Sequence, residues 1–266
     1  MNLASRAHRG RVLAFCALGL IALSALLVGL WRPWAPLPEA APIGAGDEPI
    51  VVEPAPLVLP EHPLVLVFGD SWTYGSAAAP YTQGYAYQLG GMLGGESVVK
   101  GVRGSGYLKP GLDGPAFGAR IAALNPGIDP DLVIIQGSIN DRLQGATGYR
   151  EAVNAAWDAL SALYPDAPIV VLGPAPHELP VGEGTARIDV DLAELAAARG
   201  WWYISPIERD WITPDNYLDI IDVEVGRKHP STEGHRYLAE KVATALAEFG
   251  GEAATEPVGS ETGPEQ

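Results

Sequence analysis

The sequence predicts an α/β fold in which a parallel sheet is covered by helices on both faces. Three observations point to it. Short runs rich in Val and Ile are continuously apolar rather than alternating, as strands buried on both sides require. These runs alternate with segments whose apolar residues recur at helical spacing. Several are bounded by Gly, Pro or Asp, residues that end strands and begin turns.

Taken in order, the strands are expected at Leu64–Phe68, Ser97–Val99, Leu132–Gln136, Ile169–Leu172 and Trp201–Ile204. Helical patterns fall at Gly84–Leu93, Pro115–Leu124, Tyr149–Leu163, Ala186–Ala198 and Thr232–Phe249. The pattern at Tyr149–Leu163 is the plainest, with Val153, Ala156, Trp157, Leu160 and Leu163 on one face. No internal repeat of about 20–50 residues is visible, so residues 64–249 are read as one domain.

The ends differ from this body. Arg6, His8, Arg9 and Arg11 precede Val12–Trp31, twenty residues without a charge, enough to cross about 30 Å of hydrocarbon. The run exceeds the ~7–15 residues of a secretory core and ends at Trp31, Arg32, Pro33 and Trp34. Residues 1–32 are therefore expected to be a membrane anchor, with a cleaved signal segment as the alternative. This places the domain outside the membrane, or secreted. Residues 33–63, crowded with Pro, Ala and acidic residues, read as an extended spacer, and residues 250–266 as an acidic disordered tail.

The chain of 266 residues carries a net charge of −15. Excluding the first 46 residues, 31 acidic and 13 basic residues remain, a body that repels nucleic acid and anionic lipid. Cys16 is the single cysteine, which excludes an intrachain disulfide and a Cys-built zinc site. His229 and His235 stand six apart with no third ligand nearby, so no metal is expected. No dinucleotide fingerprint or P-loop is present, and no cofactor is expected. Oligomeric state leaves no mark.

Ligands of parallel α/β sheets bind outside the carboxyl ends of the strands, so the residues there carry the chemistry. The first run ends in Gly-Asp-Ser, placing Ser71 just past a buried strand, where the next turn can aim N–H groups at an anion. The second leads into "KGVRGSGYLKPG", with Gly104 in a glycine-dense turn. The third leads into "GSINDRL", with Asn140 and Asp141. Near the end stands "GRKHPSTEGHRYLAE", where His229 precedes Ser231 or Thr232 as N-cap of the last helix. Each alone reads equally as a cap, turn or loop residue.

Together, Ser, Gly, Asn and His in this order resemble the SGNH, or GDSL-type, hydrolase family. "FGDSWTYG", "GVRGSGY", "IIQGSIND" and "HPSTEGHRYLA" match its four blocks over about Leu64 to Phe249. The resemblance implies a flavodoxin-like three-layer α/β/α sandwich and a serine ester hydrolase. Ser71 is then the nucleophile and His229 its base. The N–H of Ser71, the N–H of Gly104 and the amide of Asn140 form the oxyanion hole, while Asp70 and Asp141 brace turns.

Two positions depart from the pattern. An Asp commonly stands three residues before the histidine; here the position is Gly226. Asp222 is the candidate third member, Glu224 its alternative and Asp219 a more distant one, or a backbone carbonyl orients His229 and leaves a Ser-His dyad. Ser138 stands where many relatives have Gly. For substrate, Trp72, Tyr74 and Tyr107, with Tyr81 and Tyr85, form a candidate aromatic wall, and His177 a candidate cleft residue, with core or solvated loop as the other readings. The substrate expected is a short-chain or carbohydrate O-acyl ester. An O-acyltransferase on envelope glycans and a non-catalytic glycan-binding module are the alternatives.

Overall fold

The computed structural model describes residues 53–250. The candidate anchor, most of the spacer and nearly all of the acidic tail lie outside the described residues. Among those described, no helix is long and apolar enough to cross a membrane.

Five parallel strands form the sheet: β1 (Leu64–Gly69), β2 (Glu96–Gly101), β3 (Leu132–Gln136), β4 (Ile169–Leu172) and β5 (Trp202–Ile204). Their spatial order is β2-β1-β3-β4-β5. In β1, Val67 lies beside Val99 of β2 on one edge and Ile134 of β3 on the other. Between β1 and β3 the direction of winding reverses, which opens a crevice at their carboxyl ends.

The helices are α1 (Ser71–Tyr74), α2 (Tyr85–Met92), α3 (Phe117–Ile121), α4 (Tyr149–Leu163), α5 (Glu183–Ala197), α6 (Tyr217–Ile220) and α7 (Thr232–Phe249). Successive strand residues face opposite sides, which is why the strands are apolar throughout. Val65, Val67, Leu132 and Ile134 pack with Leu89 of α2 and Leu238 and Val242 of α7. Leu66, Phe68, Val133 and Ile135 pack on the other face with α3, α4 and α5. Trp157 of α4 is wholly buried there, and its Nε1–H donates to the Tyr107 hydroxyl over 2.8 Å. Truncating such a residue to Ala typically costs about 3–5 kcal/mol.

The expected strands and the expected helices at Tyr149–Leu163 and Thr232–Phe249 are present, with shifts at the remaining helix ends. The α3 helix is shorter than the Pro115–Leu124 pattern because only its middle makes helical bonds, and α5 begins earlier, at Glu183. Ser231 caps α7, its hydroxyl accepting from Gly234 N–H at 3.0 Å. The spacer does not run free to residue 63: Leu57 is buried in the core and its N–H donates to the Phe249 carbonyl over 2.8 Å. A short antiparallel hairpin, β6 (Ile221–Asp222) with β7 (His229–Pro230), was not anticipated. It carries His229 to the carboxyl end of the sheet.

Candidate active site

The residues after β1 are set by Asp70. Its Oδ1 accepts from Trp72 N–H at 2.9 Å, capping the single turn of α1 that begins at Ser71. Asp70 is fully buried, and burial raises its pKa from 3.8 to about 6 against the opposing pull of the Trp72 N–H, the Gln136 side chain and the Arg120 guanidinium. Arg120 is itself buried and, among the described residues, has no carboxylate hydrogen-bonded to it; it donates to the carbonyls of Gly69 and Lys100 at 2.9 and 2.5 Å, tying the ends of β1 and β2 together. Burial lowers its pKa to about 10.

Ser71 and His229, 158 positions apart, meet. His229 Nε2 lies 2.8 Å from Ser71 Oγ. His229 Nδ1 lies 2.7 Å from the carbonyl oxygen of Gly226. A carbonyl can only accept, so Nδ1 carries the proton and Nε2 presents its lone pair to the serine hydroxyl. Burial lowers the pKa of His229 from its usual value of 6.5, against the two backbone bonds from Gly226 and Arg227 that raise it. The imidazole is thus neutral at pH 7 and able to accept a proton.

Gly104 and Asn140 line the same cleft of about 540 Å³ as Ser71 and His229. Gly104 has φ +75°, a left-handed conformation that glycine adopts without steric cost. Among the described residues, neither the Ser71 nor the Gly104 N–H is given an acceptor. The Asn140 amide donates to the Ser105 carbonyl at 3.0 Å, with Asp70 Oδ2 at 3.4 Å, which fixes its orientation.

Asp141 holds the second and third loops together. It is wholly buried and accepts from the N–H groups of Tyr107 and Lys109 at 2.7 and 3.0 Å, with Leu108 at 3.3 Å. The Ser138 hydroxyl also donates to it, so the serine found in place of the usual glycine joins the brace.

Several expected site residues lie elsewhere. Asp222 lines the cleft, but its Oδ1 accepts from Glu224 N–H at 3.0 Å, closing its own turn rather than reaching the imidazole. Glu224 is exposed on that turn. Asp219 accepts from the Ser231 hydroxyl only through its backbone carbonyl. Among the described residues no carboxylate bonds His229; the main-chain carbonyl of Gly226 takes that place. Trp72 and Tyr107 are core residues, one on each face of the sheet, and so is Tyr85. Of the aromatic wall, Tyr74 and Tyr81 remain in the cleft, stacked with centroids 5.2 Å apart. His177 does not line the cleft; burial, and next the Arg142 charge, lower its pKa to about 4.

Sequence reasoning weighed His235 only as a metal ligand and missed its role as a brace. Fully buried on α7, it accepts from Tyr85 N–H through Nδ1 at 3.2 Å and donates from Nε2 to the Ser76 carbonyl at 3.0 Å. It pins the segment leaving Ser71 against the start of α2. Burial lowers its pKa to about 4, so it stays neutral. Its only sequence signal is a helical histidine four residues after the Ser231 N-cap.

Comparison with known proteins agrees with this arrangement. Residues 67–237 match the GDSL-like lipase/acylhydrolase family. A GDSL lipase of Mycobacterium tuberculosis is 28% identical over 193 residues, covering 69% of this chain and 81% of that protein. A two-domain esterase active on acetylated mannans superposes with a TM-score of 0.56 at 18% identity, over 77% of this chain and 53% of its own. A carbohydrate acetylesterase family member from Sinorhizobium meliloti gives 0.54 at 14% identity, over 71% of this chain and 99% of its own. At such identities the superpositions carry the fold, while the family match covers well over half the chain and includes Ser71, Gly104, Asn140 and His229. The chain therefore belongs to the GDSL-like lipase/acylhydrolase family and is a serine esterase of the SGNH type.

Proposed function

We propose that Ser71 and His229 are the acyl-transfer pair of an extracytoplasmic esterase that hydrolyses short-chain O-acyl esters, those of carbohydrates among them. The observation that carries this is the 2.8 Å approach of His229 Nε2 to Ser71 Oγ inside a cleft that Gly104 and Asn140 also line. A neutral serine is a poor nucleophile until an adjacent base takes its proton. As Oγ attacks the ester carbon, its proton passes to His229 Nε2, and the carbonyl oxygen becomes an oxyanion received by the two N–H groups and the Asn140 amide. Collapse expels the alcohol, which leaves with the proton returned by His229. Water, deprotonated by the same imidazole, then releases the acid and restores Ser71.

The substrate class is supported by Tyr81, half exposed in the cleft where it stacks on Tyr74, an aromatic surface suited to a pyranose ring. The acetylated-carbohydrate activity named for two proteins of similar fold supports it further. Placement outside the cytoplasm rests on the sequence of residues 1–32, where arginines precede a long uncharged run.

The test is turnover of a panel of p-nitrophenyl esters by the full chain beside Ser71→Ala and His229→Ala. Each variant alone should lose most of the rate, and the double variant little more, because the pair acts as one proton-transfer unit. Retained turnover in Ser71→Ala sinks the reading.

A further inference from the structure

We propose that the alcohol half of the natural ester bears a carboxylate, as an acidic glycan does, and that Arg227 is the residue that reads it. The proposal rests on the esterase reading above and adds to it the charge of the substrate.

Outside the anchor region the chain is strongly acidic, yet the charged residues lining the catalytic cleft are Arg103, Arg227 and Asp222. Asp222 accepts from the Glu224 N–H through Oδ1, and among the described residues it forms no ion pair with either arginine. Arg103 stacks its guanidinium 5.3 Å from the centroid of the Tyr74 ring and is paired with Asp113 at 2.7 Å. Arg227 has no acidic partner among the described residues and is exposed. It is the unneutralised cation of the cleft.

The backbone supports the same assignment. Arg227 and Lys228 are consecutive left-handed residues, with φ of 51° and 66°, a conformation that side-chain-bearing residues rarely adopt. The two side chains have different fates: Lys228 reaches Glu178 Oε2 at 2.6 Å, away from the cleft, whereas Arg227 lines it. Strain of this kind persists where the surrounding structure enforces it, and it clusters at binding sites.

The position of Arg227 also says which half of the ester it meets. His229 must hand its proton to the departing alcohol oxygen, so the alcohol occupies the side of the imidazole. Arg227 stands two residues before His229 on the same hairpin loop. A guanidinium there offers a fork of donors to a carboxylate, while the half-exposed Tyr81 lines the same cleft beside the sugar that carries it.

The experiment uses the full chain. Turnover of p-nitrophenyl acetate, abolished in Ser71→Ala, first establishes the esterase. Acetate release is then compared between O-acetylated polygalacturonate and O-acetylated glucomannan at low ionic strength. The anionic polymer is expected to be preferred, with the preference fading near about 0.5 M salt as the charges are screened. Arg227→Gln should shrink the preference by about fivefold, the scale of one partly exposed ion pair, while Arg227→Lys restores part of it. Because Arg227 is exposed, the thermal midpoints of both variants should match wild type. A second pair, mono-p-nitrophenyl glutarate against p-nitrophenyl valerate, places the charge on the acyl side, where no preference is expected. Equal use of the two polymers, an Arg227→Gln defect of the same size on both, or a preference confined to the acyl-side pair overturns the proposal and leaves the esterase standing. Absence of p-nitrophenyl acetate turnover in wild type sinks the esterase reading itself.

Discussion

The imidazole of His229 is oriented by the main chain of Gly226: its Nδ1–H donates to the Gly226 carbonyl over 2.7 Å, and the opposite nitrogen faces Ser71 Oγ. A carbonyl fixes the tautomer as a carboxylate would, but it brings no full negative charge to stabilise the imidazolium formed during attack. On the proposed function, the catalytic unit is a dyad with a backbone third partner.

Carboxylate substitutions are therefore expected to be mild. Asp222→Asn and Glu224→Gln should each change kcat for p-nitrophenyl acetate by less than about tenfold, against the ~10⁴-fold loss seen when a true triad aspartate is neutralised. Gly226→Ala should be the damaging change on this loop. A Cβ there would lie 2.7 Å from both Ala77 Cβ and Asp222 Cβ, so the loop must shift and carry the orienting carbonyl with it. A Gly226→Ala enzyme with wild-type kcat would show that the carbonyl does not position the base.

The pH profile follows from the same contact. A protonated His229 cannot accept the Ser71 proton, so kcat/KM should fall on the acid side with an inflection below 6.5, because burial depresses the imidazole pKa. A partnering carboxylate would instead push the inflection upward. Asp70, whose pKa is raised to about 6 by burial, titrates nearby; retention of the inflection in Asp70→Asn would assign it to His229. An inflection above 7 in wild type contradicts the dyad.

Removing one oxyanion donor isolates the third loop. Asn140→Ala should lower kcat by about 10²–10³-fold with a smaller effect on KM, because the amide binds charge that develops only in the transition state. Equal losses on kcat and stability would mean that its bond to the Ser105 carbonyl matters more than its bond to substrate.

Much of this was legible in the residues, for physical reasons. Buried parallel strands must be apolar on both faces, so β1, β3 and β4 stood out as runs, and Ser71, Asn140 and His229, which meet in one cleft, were visible because the proposed chemistry needs those particular side chains. The third partner of His229 was not, since every residue has a carbonyl and a main-chain acceptor leaves no mark in residue type. Three of the five wall aromatics, Trp72, Tyr85 and Tyr107, lie in the core; Trp72 and Tyr74 are two apart on one helical turn, which sends the first into the core and the second into the cleft. Leu57 reads as spacer because Leu57–Leu59, three apolar residues between prolines, is too short a run to show a period.

The brace on Asp141 should be a stability determinant rather than a catalytic one in origin. Three N–H groups and the Ser138 hydroxyl converge on a wholly buried carboxylate. Asp141→Ala leaves these donors without an acceptor, at about 1–3 kcal/mol for each that water cannot reach. Urea unfolding should show a loss of at least about 3 kcal/mol; a loss below about 1 kcal/mol would mean that the loops are held by other contacts.

Acid stability sets two histidines against one buried aspartate. His235 has a pKa near 4 in the folded chain against 6.5 unexposed to the fold, so between these values the unfolded chain binds more protons and stability falls as pH drops. Complete titration across that interval is worth about 3 kcal/mol. His177, with a pKa also near 4, acts in the same direction. Asp70 acts in the opposite one: its folded pKa of about 6 exceeds the ordinary 3.8, so its contribution is fully present below 3.8 and lost as pH rises through 6. The two histidines outweigh the one aspartate, so wild type should show a decline in stability of about 3 kcal/mol from pH 7 to pH 4. Asp70→Asn removes the opposing term and should steepen it. His235→Gln, which keeps a donor for the Ser76 carbonyl and an acceptor for the Tyr85 N–H, should flatten or reverse it. Unfolding free energies by urea at three pH values for the three proteins decide the matter, and a His235→Gln slope equal to that of wild type would remove His235 from the account, because neither His177 nor Asp70 is altered in that variant.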